Sequence, residues 1–316
     1  MYVDVDDGST VTDYLKAERE RGITITSACI PLAWKGARIN LIDTPGHIDF
    51  TMEVERAVRV LDGAVCLLDA VAGVEAQTEN VWKQANRHSI PRIIFINKMD
   101  REGSSLSKTI SAIESRLCGW GAPLVIQWPV VSGHSDAEIR SGAGGPALSA
   151  ILDLPSMQIL RWDTDPTGSV ITKSPILKSD THYEEAKRQR ILLVEALSEL
   201  DDTIVDTFLS HDADHMQVPE KEIHQALRRV SLSGKGVPVF CGAAFRNMGV
   251  QPVLDAIVDF LPSPVERPDI YGVDQRKNQV PISVEDPQLC AMAFKVINDE
   301  KRGPLVFVRV YSGMYF

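Results

Sequence analysis

The sequence predicts an α/β fold in which helices cover both faces of a parallel sheet. Two runs, AVCLLDA at 64–70 and PRIIFIN at 91–97, are apolar almost throughout, as in strands that are buried on both faces. The segment between them, 75–88, has the apolar spacing of a helix, and so does 104–118 after them. Buried strands that alternate with helices indicate a doubly wound sheet with crossover helices.

The segments before this pattern predict a hairpin and a helix. Residues 23–34 and 37–42 are rich in β-branched and aliphatic side chains, and Lys35-Gly36 joins them as a turn. Apolar residues then recur at helical spacing over 49–61.

An insertion interrupts the α/β pattern. Residues 123–130 are strand-like, but 132–182 are rich in Gly, Ser, Asp and Pro and predict an irregular segment. Residues 183–232 predict two or three amphipathic helices. The α/β pattern then resumes with a strand at 237–244 and a helix at 249–261.

The C-terminal part predicts the start of an all-β module. The stretch LPSPVERP at 261–268 is a proline-marked linker. Two strand-like runs follow, at 289–297 and 304–313.

Composition limits the classes of function. The 316 residues are 44% hydrophobic and carry a net charge of −10, which suits about two globular domains and argues against a general basic grip on nucleic acid. A local patch could still dock on a ribonucleoprotein.

The N-terminal stretch is neither a secretory signal nor an Arg-rich transit peptide, and no run has the roughly 18 apolar residues that a membrane helix needs. The five cysteines include no Cys-x-x-Cys pair, which predicts small buried side chains in a reducing compartment and no metal site.

Three polar clusters each follow a predicted strand. They are Asp43-Thr44-Pro45-Gly46-His47, Asn97-Lys98-Met99-Asp100 and Cys241-Gly242-Ala243-Ala244. Ligands of doubly wound sheets bind outside the carboxyl ends of the strands. Three such clusters at one edge therefore predict one binding crevice.

The cluster at 97–100 suits the recognition of guanine. The carboxylate of Asp100 can accept parallel hydrogen bonds from N1–H and the 2-amino group of guanine, a pair of donors that adenine lacks. Asn97 would tie the loop to its neighbours, and the stem of Lys98 would cover the base. The alternative is a solvated turn with no ligand.

The cluster at 43–47 suits the sensing of a phosphate. Asp43 can hold Mg²⁺ through its water shell, Gly46 offers an unhindered N–H, and His47 lies where a water-positioning group belongs in GTP hydrolysis. The alternative is an ordinary strand-to-helix link in which Asp43 or Asp49 caps the helix. A hydroxyl from Thr24 could complete the Mg²⁺ shell, although threonine is also a common strand residue.

Together these motifs resemble those of the translational GTPases, and among them the elongation factor G family. ERERGITITSA at 18–28 resembles the first switch of that family, and 41–82 resembles the second switch with the strand after it. FINKMDR at 95–101 resembles the guanine motif, and 239–264 the last base-binding loop and final helix. Residues 293–313 resemble the opening of the β-barrel second domain, so the resemblance covers nearly the whole chain.

The resemblance implies a division into four parts. They are a GTP-binding domain at 1–130 and 236–262, an inserted subdomain at 131–235, a linker at 263–288 and the beginning of a β-barrel at 289–316.

The resemblance also implies roles for single residues. Thr24 and Asp43 would bind Mg²⁺, Gly46 would donate to the γ-phosphate, and His47 would orient the attacking water. The residues expected to contact GTP are Asp43, Thr44, Pro45, Gly46, His47, Asn97, Lys98, Met99, Asp100, Gly242, Ala243 and Ala244. The family usually has Gly-Ser-Ala in the last loop, so Ala243 predicts a less ordered loop with its guanine specificity retained.

The main departure from the family is the phosphate loop. No G-x-x-x-x-G-K followed by Ser or Thr occurs in the chain. The family carries this motif upstream of the first switch, so we expect an internal fragment that lacks the first strand, the phosphate loop and the first helix. That strand lies beside 37–42 in the family, and its absence would leave backbone groups unpaired. The isolated chain is therefore expected to be inactive.

Two stretches, VDDGSTVTDY at 5–14 and DEKRGPLVFVRVYSG at 299–313, favour the branch of the family that recycles ribosomes. That branch implies a monomeric GTPase of the mitochondrial matrix that uses GTP and Mg²⁺. Its partners would be the mitochondrial ribosome and ribosome recycling factor, with no DNA or membrane partner. The alternatives are a mitochondrial elongation factor G that catalyses translocation, and a fragment that only binds without nucleotide or has no function.

Overall fold

A computed structural model of the chain describes residues 12, 16–21, 23–117, 119, 121–132, 147–162, 167–268, 270–273, 276–299 and 301–314. The strands are β1 Ala28–Trp34, β2 Ala37–Asp43, β3 Ala64–Asp69, β4 Arg92–Asn97, β5 Ala122–Val125, β6 Gln127–Ser132, β7 Ala147–Asp153, β8 Gln158–Arg161, β9 Thr172–Pro175, β10 Gly236–Cys241, β11 Ile270–Val273, β12 Gln279–Ile282, β13 Cys290–Asp299 and β14 Gly303–Ser312. The helices are α1 Lys16–Arg21, α2 Thr51–Val58, α3 Ala76–Arg87, α4 Leu106–Arg116, α5 Tyr183–Ser198, α6 Asp202–Ser210, α7 Glu220–Leu232 and α8 Val250–Phe260, with 3-10 turns at Ile48–Phe50 and Ala244–Arg246.

The predicted α/β fold is confirmed by a four-stranded parallel sheet in the order β3-β4-β10-β5. Alternate side chains of β4 enter two different cores, as expected of a strand buried on both faces. Ile93 and Phe95 pack in the core that contains residues of α5, α7 and α8. Ile94 and Ile96 pack in the core that contains residues of α3 and α4. Helices therefore cover both faces of the sheet.

Three of the four strands of the parallel sheet, β3, β4 and β10, end at nearly the same level. Asp69 at the end of β3 is in register with Asn97 at the end of β4, and Cys241 at the end of β10 is in register with Ile96. The residues that follow these three strands therefore meet at one edge.

The hairpin β1–β2 turns at Lys35 and Gly36, which have φ values of 46° and 79°. Two successive positive φ angles are typical of the tight turns that match strand twist. In the described part of the chain this hairpin is a two-stranded sheet of its own. Its tip is anchored to α8, because Trp34 Nε1 donates to Asp255 Oδ1 at 2.7 Å and Lys35 Nζ lies 2.9 Å from the same oxygen.

The prediction of a strand from residue 23 is wrong for 23–27. The buried carboxylate of Glu18 accepts the backbone N–H groups of Ile25 and Thr26 at 3.0 and 2.9 Å. These amides are occupied by a side chain and do not join the β ladder, so β1 begins at Ala28.

The inserted region contains a second sheet, antiparallel, in the order β6-β7-β8-β9, together with α5, α6 and α7. The prediction of an irregular segment over 132–182 is therefore wrong for the residues of β7, β8 and β9. Short apolar runs such as AILD form its strands despite the surrounding glycines and serines. Residues 133–146 and 163–166 lie outside the described part. The predicted strand 123–130 is two strands, because the chain passes from one sheet to the other at Ile126.

The two strands predicted near the C-terminus are present as β13 and β14, and the structure pairs them antiparallel. Lys295, which is 7% exposed, donates to the carbonyl of Ser27 just before β1. Arg309 binds both carboxylate oxygens of Asp62 at 2.9 and 2.5 Å, and also the carbonyl of Val60. Lys295 of β13 thus contacts the segment before the β1–β2 hairpin, and Arg309 of β14 contacts the segment after α2.

The predicted linker also contains structure, since β11 and β12 pair within it. We retain the four-part division as a proposal: 1–130 with 236–262, 131–235, 263–288 and 289–316.

Candidate functional site

Asn97 joins two loops at the carboxyl edge of the parallel sheet. Its side-chain oxygen accepts the N–H of Lys98 at 2.8 Å and the N–H of Ala244 at 2.9 Å. Its own carbonyl accepts the N–H of Ala70, which follows β3. One asparagine therefore holds together the segments after β3, β4 and β10.

The turn after Asn97 is tight and partly buried. Lys98 adopts a left-handed conformation, with φ 62°, and its Nζ lies 2.8 Å from Asp69 Oδ2. Met99 is 2% exposed, and its N–H donates to the carbonyl of Gly242 at 3.0 Å. This geometry draws the stem of Lys98 across the sheet edge.

Asp69 ends β3 and is a residue that the sequence analysis missed. Its burial acts to raise the pKa of the carboxyl group, but hydrogen bonds from Lys98 and from the N–H groups of Val71 and Ala72 outweigh it, so the pKa lies below its ordinary value. An acid at the end of a buried strand was the available signal, the same one that singled out Asp43.

Asp100 lies at the rim of the turn, with its side chain 20% exposed. Its Oδ2 is 3.3 Å from Nε of Arg246, whose side chain is half exposed. An exposed arginine can move aside when a ligand arrives, because a surface ion pair adds little stability. The carboxylate is thus within reach of a ligand and has the acceptor geometry that two adjacent N–H donors require.

The loop after β10 is closely packed around Gly242. A Cβ at this position would lie 2.3 Å from the carbonyl oxygen of Met248 and 2.9 Å from the ring of Phe95. Ala243 and Met248 exchange backbone hydrogen bonds at 3.0 and 3.2 Å. The loop then forms the 3-10 turn that presents Phe245, whose side chain is 63% exposed. Phe245 is another residue that the sequence analysis did not select.

The turn at 43–47 belongs to the hairpin. Asp43 is the last residue of β2 and pairs with Ala28; Pro45 is buried, whereas Gly46 and His47 are exposed. Nδ1 of His47 accepts the N–H of Asp49 at 3.3 Å. A Cβ at Gly46 would meet nothing within 4 Å, so there is open space in front of its backbone.

Thr24 lies half-buried in the stretch that Glu18 holds. Glu18 is fully buried, and a short helix with an ordinary charge pattern gave no sequence signal for it. Thr24 lies outside the hairpin, four positions before Ala28, which is the partner of Asp43 at the open end of the hairpin.

The structure thus brings 97–100 and 242–246 into direct contact. Residues 43–47 continue from the hairpin β1–β2, which shares no backbone pairing with the parallel sheet in the described residues. Among those residues no group of three or more His, Cys, Asp and Glu side chains could hold a metal. Oxygen ligands of the kind that Mg²⁺ prefers are present in Asp43 and Thr24.

A doubly wound sheet whose strand ends carry an Asn-Lys-x-Asp turn tied to a glycine loop has the architecture of a nucleotide-binding domain. The chain belongs to the family of the elongation factor Tu GTP binding domain, whose model matches residues 2–263. The predicted resemblance to the translational GTPases is confirmed by this match.

The chain is also similar to curated proteins named ribosome-releasing factor 2, mitochondrial. The alignment with the protein from Yarrowia lipolytica extends over 323 residues, gaps included, and is 45% identical. It covers 98% of this chain and 39% of the relative. The protein from Mus musculus is 44% identical over 314 residues, which cover 98% of this chain and 37% of the relative. The chain therefore spans about two fifths of the length of the curated relatives that it matches.

Among solved structures, a crystal structure of a protein from Thermus thermophilus superposes with a TM-score of 0.77 at 25% sequence identity. The match covers 98% of this chain and 41% of that chain. In the part of the chain that is described, no helix is both long and apolar enough to span a membrane.

Proposed function

We propose that the chain is the nucleotide-binding part of a GTP-hydrolysing translation factor that acts with ribosome recycling factor to disassemble mitochondrial ribosomes after termination. The observation that carries the proposal is the pair of hydrogen bonds at Asn97, which sets Asp100 beside the glycine loop. The names of the similar proteins support the ribosome, the mitochondrial location and the releasing reaction as proposals for this chain. Ribosome recycling factor as partner and the matrix as compartment rest on the family resemblance.

The base would be read by Asp100 and enclosed by two neighbours. Asp100 would accept N1–H and the 2-amino group of guanine, and would reject adenine because one buried acceptor would stay unpaired. The stem of Lys98 would lie on one face of the base. The exposed ring of Phe245 offers an apolar surface for the other face. Backbone N–H groups of the loop at 242–244 would approach the guanine oxygen.

The phosphate end would use the hairpin. Thr24 and Asp43 would hold Mg²⁺, which neutralises charge on the phosphates when it is bound. Gly46 would donate its unhindered N–H to the γ-phosphate, and His47 would orient the attacking water. The ring of His47 lies beside Asp49, so it would have to turn toward the nucleotide.

Replacement of Asp100 by Asn tests the assignment of the base. Asn offers a donor where Asp offers an acceptor, so Asp100→Asn should lower the affinity for GTP about tenfold or more and raise that for XTP. Competition of both nucleotides should be measured in the full-length product of the gene, with Asp206→Asn, an exposed aspartate on α6, as the control. A GTP:XTP preference that does not move in Asp100→Asn would show that Asp100 does not read the base.

A second candidate, a nucleotide-independent binding module, is favoured by the absence of a phosphate-loop motif in the sequence. Titration of this chain with a fluorescent GTP analogue separates the two. Micromolar or tighter binding would exclude the module, whereas no binding up to millimolar concentration would support it.

A further inference from the structure

A short strap of the inserted region lies against the loop that would read the base. The strap consists of Thr167, Gly168 and Ser169. Nδ2 of Asn247 donates to the carbonyl of Thr167 at 2.7 Å, and Nε2 of Gln251 donates to the carbonyl of Gly168 at 2.8 Å. The strap is therefore held by two side chains: Asn247 at the end of the loop after β10, and Gln251 in the first turn of α8.

The approach of the two backbones is close enough to require glycine. A Cβ on Gly168 would lie 2.4 Å from the carbonyl oxygen of Arg246 and 2.9 Å from Cβ of Asn247. Gly168 also has φ 65°, a conformation that other residues rarely adopt. Gln251 is fixed in turn, because its Oε1 accepts from Nε1 of the buried Trp162 at 3.2 Å. The contact is thus a specific one.

The strap adds an outer support to a loop that is also held from the inside. Its inner side is held by the hydrogen bond from the Ala244 N–H to Asn97 and by the exchange between Ala243 and Met248. Ala243 has no hydroxyl with which to hold the loop. The strap supplies polar contacts from the opposite side, next to Arg246, the residue that pairs with Asp100.

We propose that the strap positions the base-reading loop, with Asn247 and Gln251 as positioning residues that sharpen the discrimination of guanine. This inference rests on the proposed function. It gives the inserted region a part in nucleotide recognition, although the strap lies far along the sequence from the Asn-Lys-x-Asp turn.

Three substitutions isolate the strap. Gln251→Ala removes the side-chain hydrogen bonds to Trp162, Gly168 and Ser169, and Gln251→Glu keeps an acceptor for Trp162 while it removes the donor to the two strap carbonyls. Asn247→Gly removes the donor to Thr167 and tolerates the left-handed φ of 56° at this position. Gln217→Ala is the control, because this exposed glutamine of the inserted region donates to Asp214, three residues away, at 3.2 Å.

The first measurement is hydrogen exchange of the amides at 243–249 in the chain itself. We expect about threefold to tenfold faster exchange in each strap variant and no change in Gln217→Ala. A change of this size corresponds to the net free energy that one side-chain hydrogen bond contributes to keeping the loop closed. Unchanged exchange in both Gln251→Glu and Asn247→Gly would overturn the inference.

The second measurement is the affinity of the full-length protein for GDP against IDP, which lacks the 2-amino group. The preference for GDP should fall about threefold to tenfold in the strap variants. Faster exchange with an unchanged GDP:IDP preference would show that the strap is only structural. If the wild-type protein itself has no preference for GDP, the proposed function fails, and the exchange data still decide whether the strap holds the loop.

Discussion

At the scale of the residue, the site depends on a few groups with one structural task each. Asn97 ties three segments together through two acceptors, and Gly242 allows the glycine loop to touch Phe95 and Met248. Neither residue contributes a charge. Their loss should therefore act on the shape of the site.

Gly242→Ala should destabilise the fold by about 1–3 kcal/mol, because its Cβ would overlap the carbonyl oxygen of Met248 and backbone would have to shift. The free energy of unfolding in urea measures the effect. Gly46→Ala is a matched control for stability, since its Cβ would enter open space. Equal losses in the two variants would contradict the packing argument.

Asp69 makes the stability depend on pH. A carboxyl group whose pKa is lowered in the folded state stabilises the protein above its unfolded pKa, near 3.8, and this contribution is lost as pH falls through the lower folded value. Asp69→Asn should thus be less stable than wild type at pH 7, by about 1 kcal/mol. The difference should shrink as pH falls below 3.8. A constant difference in urea unfolding between pH 7 and pH 3 would refute this linkage.

At the scale of the element, the β1–β2 hairpin is the least integrated part of the site. Thr24 precedes it and 43–47 continue from its last residue, yet in the described chain it has no further strand neighbour. Its tip is held by the contacts of Trp34 and Lys35 with Asp255.

Asp255→Ala should therefore loosen the hairpin and leave the parallel sheet intact. Hydrogen exchange at 28–43 should become several-fold faster, while exchange in β4 and β10 stays slow, because those strands are buried in two cores. Asp259→Ala, one turn further along α8, is the control. Equally faster exchange in β4 would mean that Asp255 stabilises the whole domain.

The sequence could predict the elements that repeat a clear pattern. The runs that become β3, β4 and β10 are apolar, those of β3 and β4 end in polar residues, and periodicity alone marks α3 and α4. The sequence could not predict that Glu18 would capture the amides of Ile25 and Thr26, because a contact between a short helix and a loop leaves no periodic trace. The strap at 167–169 was missed for a similar reason, since the only signal was a glycine in a polar stretch.

At the scale of the whole molecule, β13 and β14 reach back to the segments around the hairpin. The bidentate pair between Arg309 and Asp62 is the firmest of these links, with both side chains about three-quarters or more buried. The second link is the hydrogen bond from Lys295 to Ser27.

A double-mutant cycle of Arg309→Ala and Asp62→Ala should give a coupling energy of about 1–3 kcal/mol in urea unfolding. The exposed pair between Arg56 and Glu53 on α2 should give a smaller value, because water screens it. Equal coupling energies in the two cycles would show that burial does not strengthen the pair between Arg309 and Asp62.

The contacts that hold the hairpin also fix an order of events during synthesis. Trp34 and Asp255 are 221 residues apart, and Ser27 and Lys295 are 268 apart. Contacts between residues so far apart in sequence form late in folding. Closing the long loop between them costs conformational entropy before the contact adds any stability. The hairpin leaves the ribosome well before Asp255 and Lys295, the residues that anchor it. A nascent chain halted near residue 200 should therefore expose β1 and β2 to proteases and chaperones, although the local turn at Lys35-Gly36 has already formed.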